Sequence, residues 1–315
     1  MPILMGNIDD SGISEYSIVR LNKDNLADIA KLHAEVYSVA PPYNYFHKKY
    51  DTAFAKVENV GFLAYDKDHR PAAYYGVMPC FIQFGDKIIL TAQSGDTMTH
   101  PKHRGKGLIV KLSNITFDLC KELGIQLLFG FPNQEFYPIM IRHLGWKETE
   151  KLIRFEIPVR ISLKRFLFKP SQKKRETVLQ KLLLPENGIR NSVITDGFGG
   201  VCKDEAFFNY KTFSKTYVLK TSCAEIWVKI NNQLVIGDIK VVKNDPQTFF
   251  SEVKTLAREI GVDKITFQVS PGCFLHDFFA AHYKPIPSFP VLLKDFGSGV
   301  PIEKIKFTFS DIDIF

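Results

Sequence analysis

The feature that most constrains this chain is Arg104-Gly105-Lys106-Gly107-Leu108, two cations and two glycines wedged between an extended run and a helical one. The run before it, Lys87 to Thr99, reads as a strand. After it, Leu108, Leu112, Ile115, Leu119 and Leu123 recur on one helical face, and Gly124 ends the pattern. A strand that turns through glycines directly into a helix leaves the first helical N–H groups unpaired and pointing outward at the positive dipole end. Glycine keeps side-chain bulk away from that spot, and Arg104 and Lys106 add charge. The physical reading is a phosphate or pyrophosphate site. Taken alone, a two-glycine loop is a weak sign. It is neither GxxxxGK[ST] nor the three-glycine dinucleotide pattern.

The surrounding pattern is mixed α/β. Tyr16 to Leu21 alternates as a strand, and Asn22 and Asp24 offer caps for a helix carrying Leu26, Ile29, Leu32 and Val36. A second helical stretch follows Pro41-Pro42, around Tyr45 to Phe54. Extended runs follow at Gly61 to Tyr65, Ala72 to Phe84 and Lys87 to Thr99, with Gly85-Asp86 between the last two as a hairpin turn. Gln126 to Phe131 reads as a short strand, and Glu135 to Leu144 as a helix stopped by Gly145 before Trp146.

That order repeats. The helix–Gly–strand–helix pattern of Leu119 to Leu144 returns from Leu256, through Gly261, a strand at Ile265 to Val269, and an aromatic-rich helix at Phe274 to Tyr283. Two copies of one fold are one account, and chance likeness of amphipathic helices is the other. The second copy has Lys243-Asn244-Asp245-Pro246 where the first has its glycine loop, so no phosphate site is expected there. The expected organisation is a domain at 1–150, a basic linker or excursion at 151–190 and a degenerate copy at 191–315. Within the excursion, Arg160 to Lys181 holds eight cations against one acid, Glu176. A solvated surface explains it, and so does contact with phosphates or an anionic membrane surface.

Composition narrows the classes. With 315 residues, 45% hydrophobic and 24% charged, the chain is globular and long enough for two domains. A net charge of +7 suits handling of anionic groups without selecting nucleic acid. Five cysteines, odd in number and without CxxC, argue against a disulfide framework or a zinc site and for the reducing cytoplasm. Met1 to Asp10 does not read as a signal peptide, and no apolar run is long enough to span a bilayer. No metal is expected, because the histidines lack ligand spacing.

Strand, His100-Pro101-x-x-Arg104-Gly105-Lys106-Gly107-Leu108, helix, strand, Asn133, and a helix ending Leu144-Gly145-Trp146 together resemble the core of the GNAT superfamily of acyl-CoA N-acyltransferases, over roughly residues 16–150. The segments Gln93 to Thr97 and Gly130 to Asn133 are similar to bacterial members, some of them linked to surface-polysaccharide assembly. The resemblance implies two GNAT-like halves built on a central mixed sheet flanked by helices. It implies acetyl-CoA, or another acyl-CoA, as cosubstrate. Thr97, Met98 and Thr99 would pair with the pantetheine, and a main-chain N–H there would polarise the thioester carbonyl. Arg104, Gly105, Lys106, Gly107 and Leu108 would hold the pyrophosphate. Asn133 would flank the pantetheine, or it simply caps the following helix.

Two departures bear on this reading. Ile109 stands where the family has Gly or Ala, and Ile141 stands where it often has a proton-donating Tyr. Tyr137, one turn earlier, either takes the acid role or packs in the core. Asp96 is the candidate general base, with a salt bridge or turn bond as the plain alternative; Glu135, His100 and His103 are weaker, and Gln93 could contact the acceptor. The implied activity is N-acyl transfer, acetyl first among the acyl groups, by direct attack of a small-molecule amine, with an amino sugar the preferred acceptor. Nucleic acid is not the expected partner, and oligomeric state is left open. The alternatives are a Fem-like aminoacyl transferase using charged tRNA, and a degenerate GNAT that binds acyl-CoA without turnover.

Overall fold

The computed structural model describes residues 15–160, 170–184 and 189–315. Met1 to Asp10 and part of the basic excursion, including Lys164, Arg165 and Lys169, lie outside the described residues.

Strand β1 (Ser17–Arg20) leads through a 3-10 turn to α1 (Leu26–Tyr37) and the short α2 (Tyr45–Lys49). The Asn22 side chain accepts from the N–H groups of Asp24 and Asn25, so it caps the 3-10 turn and α1 follows from it. Next come β2 (Val60–Tyr65), β3 (Pro71–Phe84) and β4 (Lys87–Thr99), an antiparallel meander. The first ten residues of β3 are all buried, as expected of a strand covered on both faces. After the glycine loop, α3 (Leu108–Glu122) packs Leu108, Leu112, Phe117 and Leu119 against the sheet. Then β5 (Leu127–Gly130), α4 (Tyr137–His143) and β6 (Lys147–Pro158) complete the first set.

The remainder holds α5 (Gln172–Leu182), α6 (Ser192–Thr195), β7 (Gly200–Val201), α7 (Glu205–Tyr210), β8 (Thr216–Lys220), β9 (Ala224–Ile230), β10 (Leu234–Val241), α8 (Pro246–Ile260), β11 (Lys264–Val269), α9 (Phe274–Ala280) and β12 (Ile286–Asp295). In α8, Phe249, Phe250, Val253, Leu256 and Ile260 are buried along one face. The expected excursion at 151–190 therefore contains the larger part of β6 and all of α5. The expected boundary at residue 150 falls inside a strand of the shared sheet.

All twelve strands among the described residues join one mixed sheet, ordered β1-β2-β3-β4-β5-β12-β6-β11-β10-β9-β8, with β7 added against β3. The middle reads the same from both ends. β4 runs parallel to β5, and β10 runs parallel to β11. β12 lies antiparallel beside β5, β6 lies antiparallel beside β11, and β6 and β12 pair with each other at the centre. The last strand of each set thus inserts next to the other set, which ties the two halves through backbone hydrogen bonds.

The parallel pairs also part at equivalent places. β4 and β5 pair as far as Ser94–Gly130, and β10 and β11 as far as Ile236–Phe267. A Gly-Asp step follows each time, Gly95-Asp96 and Gly237-Asp238, and each coincides with a register shift in the neighbouring antiparallel pair. A bulge increases local twist and re-aims the strand. Beyond each bulge a wedge opens between the two parallel strands.

Candidate active site

The first wedge is open. One cleft of ≈ 420 Å³ is lined by Thr97, Met98, Thr99, Arg104, Gly105, Lys106, Gly107, Leu108 and Asn133, together with Val36, Tyr37, His103, Ile109, Val110, Glu135, Phe136, Ile139 and His143. Every residue that sequence reasoning assigned to a coenzyme lies on this one surface. Beyond Ser94 no strand among the described residues pairs with β4 on its β5 side, so its backbone groups there face the cleft.

The glycine loop takes its shape from backbone conformation. Gly105 and Gly107 have φ of 76° and 73°, in the left-handed region that other residues enter only with strain. Gly107 is the N-cap of α3, and no side chain caps that helix. A helix start without a cap, opening on a cleft, is a ready anion site. His103 braces the loop: its Nδ1 sits 2.8 Å from the Tyr16 hydroxyl and its Nε2 3.7 Å from Asp66. Burial holds the His103 pKa below the usual histidine value, which favours the neutral ring as a strut. Arg104 donates from Nε to the Thr99 carbonyl at 3.5 Å, and Lys106 Nζ lies over the Tyr16 ring. Ile109, the departure in the motif, lines the cleft and packs on the core beneath α3.

The start of α8 differs. There Asp245 accepts from Thr248 N at 3.1 Å and Thr248 Oγ1 at 2.9 Å, so a carboxylate of the chain itself occupies the helix N-terminus.

A second cleft, ≈ 370 Å³, adjoins the first and shares Tyr37, Thr97, Asn133 and Phe136 with it. Its other walls include His33, Tyr45, Lys49, Asp96, Phe131, Asp313 and Ile314. Lys49 is completely buried here. Its Nζ lies 2.7 Å from Asp96 Oδ2 and 2.7 Å from Asp313 Oδ2. Burial would lower its pKa, but Asp313 and Asp96 outweigh that and hold the ammonium well above the usual lysine value.

The catalytic assignments made from sequence need revision. Asp96 does face the second cleft, at a bulge with φ of 51°. Both its oxygens are engaged, however: Lys49 donates to Oδ1 at 2.9 Å and Tyr50 donates its hydroxyl to Oδ2 at 2.9 Å. With both oxygens taken by a buried ammonium and a phenol, Asp96 fits the salt-bridge alternative better. Tyr137 lines neither cleft. Its hydroxyl donates to Glu148 on β6, because the short α4 turns that face toward β6 and away from the wedge.

Asn133 does both things expected of it. It lines both clefts, and its Oδ1 accepts from Phe136 N at 2.8 Å, capping the turn into α4. Gln93 is buried; with its amide matched to its partners, it donates to Asp311 O and accepts from Asp313 N, both at 3.1 Å. Glu135 is an exposed wall of the first cleft, and His100 accepts from Lys102 N.

Sequence reasoning missed Tyr37, Lys49 and Asp313. Tyr37 ends α1, where periodicity registers only the apolar face. Lys49 and Asp313 are 264 positions apart and look like ordinary surface charges in isolation. Tyr37 stands where the clefts meet, and burial, followed by Asp96 and Glu135, raises its pKa. It therefore stays protonated at neutral pH. Among the described residues no group of three His, Cys, Asp or Glu could hold a metal ion, and no helix is long and apolar enough to cross a membrane.

A splayed mixed sheet with an uncapped, glycine-opened helix at the mouth of its wedge defines a class of α/β protein with an open anion site beside the sheet. Residues 17–149 match the family model described as the acetyltransferase (GNAT) domain, so that part of the chain is similar to GNAT acyltransferases. Solved structures agree in fold. A conserved protein of unknown function from Enterococcus faecalis V583 aligns with TM-score 0.59 at 14% identity, over 90% of this chain and 74% of that one. A GCN5-related N-acetyltransferase from Kribbella flavida aligns with TM-score 0.57 at 10% identity, over 89% and 71%. An N-myristoyltransferase from Saccharomyces cerevisiae with bound myristoyl-CoA aligns with TM-score 0.55 at 11% identity, over 98% and 84%. A search of the curated proteins finds no match to the sequence.

Proposed function

We propose that this chain transfers an acyl group, acetyl first among them, from coenzyme A to the primary amine of a small molecule. The observation that carries the reading is the uncapped start of α3 opening on a cleft that adjoins a second cleft through shared walls. The pyrophosphate rests on the N–H groups after Gly107, with Arg104 and Lys106 alongside. The pantetheine follows β4 from Thr99 to Thr97, and a main-chain N–H there polarises the thioester carbonyl. Asn133 flanks the thioester. The amine enters from the second cleft and attacks directly, and Tyr37 protonates the departing thiolate.

The second cleft suits a hydroxylated cation. Tyr37, Tyr45 and Phe131 offer aromatic faces, and Asp96 and Asp313 outnumber Lys49. An amino sugar fits that lining and remains the preferred acceptor. We assign coenzyme binding to the first half alone and read 191–315 as a degenerate copy, supported by the strand order and by Asp245 at the start of α8. Four of the five free cysteines are buried, in keeping with a reducing cytoplasm.

Calorimetric titration with acetyl-CoA tests the reading. Arg104→Ala should weaken binding by about 10-fold or more, since a charge-assisted hydrogen bond contributes roughly 1.5–3 kcal/mol. Equal affinity in both proteins, or no heat in either, would remove the basis for the assignment. Parallel titration with myristoyl-CoA reports acyl length.

A further inference from the structure

The second wedge, unlike the first, is filled by the chain itself. Segment 305–315 runs into the gap between β10 and β11. Thr308 bridges Val269, and Ser270 N donates to Phe307 O at 2.8 Å. The Phe315 ring lies against Gly237, where an added Cβ would come within 2.2 Å of it. Asp238, the counterpart of Asp96, pairs with buried Lys203, whose Nζ also lies 3.1 Å from Asp311.

Leaving that wedge, the segment passes along the second cleft of the first half, and its path is closely determined. Gln93 pairs with Asp311 O and Asp313 N, Lys211 donates to Ile312 O at 2.8 Å, and Lys229 donates to Ile314 O at 2.9 Å. Gly95 makes room for it, because a Cβ there would lie 2.9 Å from Asp313 Oδ2. The result is a carboxylate on the cleft wall. Asp313 meets Lys49 through Oδ2, while its Oδ1 has no hydrogen bond among the described residues. Asp96, by contrast, has both oxygens engaged.

We propose that Asp313 is the proton acceptor for the attacking amine, delivered to the first half's acceptor cleft by the segment that plugs the second half's wedge. This rests on the acyl-transfer reading above. The acceptor ammonium gives a proton to Asp313, and the freed nitrogen lone pair attacks the thioester carbonyl carbon. The C–N bond forms as the carbonyl π pair moves to oxygen. The intermediate then collapses: the C–S bond breaks, the thiolate takes a proton from Tyr37, and the nitrogen gives its second proton to solvent. Amide and thiol leave, Tyr37 recovers a proton from solvent, and Asp313 loses its own to solvent.

The test uses the full chain with acetyl-CoA and follows thiol release. The amines are a panel of alkylamines, amino acids and amino sugars, with hydroxylamine as a nucleophile already uncharged at neutral pH. Asp313→Asn keeps size and a contact for Lys49. It should bind acetyl-CoA as the wild type does, lose roughly 100-fold in kcat with the best charged amine, and keep hydroxylamine turnover within a few-fold. Asp313→Glu should recover part of the loss. Full kcat with the charged amine, or an equal loss with hydroxylamine, would overturn the assignment and leave the acyltransferase reading standing. Failure of the wild type to release thiol with any amine would remove that reading and this one with it. A melting curve for each variant identifies one that has lost its fold; if Asn does so, Asp313→Ser supplies the same comparison.

Discussion

At the scale of single residues, position relative to the two clefts separates groups of like chemistry. Tyr37 and Tyr137 are both tyrosines with raised pKa, for different reasons. Burial leads for Tyr37, and a hydrogen bond to Glu148 leads for Tyr137. Only Tyr37 lines the clefts. Tyr37→Phe should therefore lower kcat by roughly 100-fold, in the usual range for a lost general acid, and leave acetyl-CoA affinity nearly unchanged. Tyr137→Phe should leave kcat within about 2-fold and change stability only slightly. Steady-state kinetics beside thermal melts decide this, and the opposite pattern would return the acid role to Tyr137.

At the scale of elements, two helices of fifteen residues each begin in opposite ways. α3 opens on Gly107 without a cap, and α8 opens on Asp245 with one. The same dipole is left open to the cleft in the first case and is satisfied internally in the second. Asp245→Ala should lower stability modestly, through loss of the N-cap. It should leave acetyl-CoA binding at one molecule per chain with unchanged affinity. A second bound coenzyme in that variant, or in the wild type, would contradict the assignment of one site to the first half. Most elements were legible beforehand, since β2, β3, β4, α3 and β11 follow apolar periodicity and turn chemistry closely. The stretch Tyr45 to Phe54 proved shorter as an α-helix, ending at Lys49 before a 3-10 turn at Ala53–Ala55. There the burial of Lys49 against Asp96 and Asp313 overrides local propensity.

At the scale of the whole molecule, exchange of β6 and β12 makes the halves one sheet, and segment 305–315 joins them again through buried charge. Lys203 holds Asp238 and Asp311, and all three side chains are buried. Removing one partner of such a group leaves charge without compensation, which commonly costs about 3–5 kcal/mol. Lys203→Ala should therefore lower stability by about that amount in denaturant titration. Because the segment carries Asp313, the variant should also lower acyl transfer more than it lowers acetyl-CoA binding. A fall of under 1 kcal/mol would mean the segment is held by its apolar contacts instead.

The sequence by itself determined the run of strands and helices, the glycine-opened anion loop, and the set Thr97 to Thr99, Arg104 to Leu108 and Asn133 that meets on one surface. These depend on periodicity and on backbone freedom within a few residues, which a linear string records. Only the tertiary structure decided that each half receives the other's last strand, that Asp96 is neutralised by Lys49, and that Asp313 reaches the second cleft. Those outcomes depend on burial and charge pairing between residues far apart in the chain, and no local pattern carries that information.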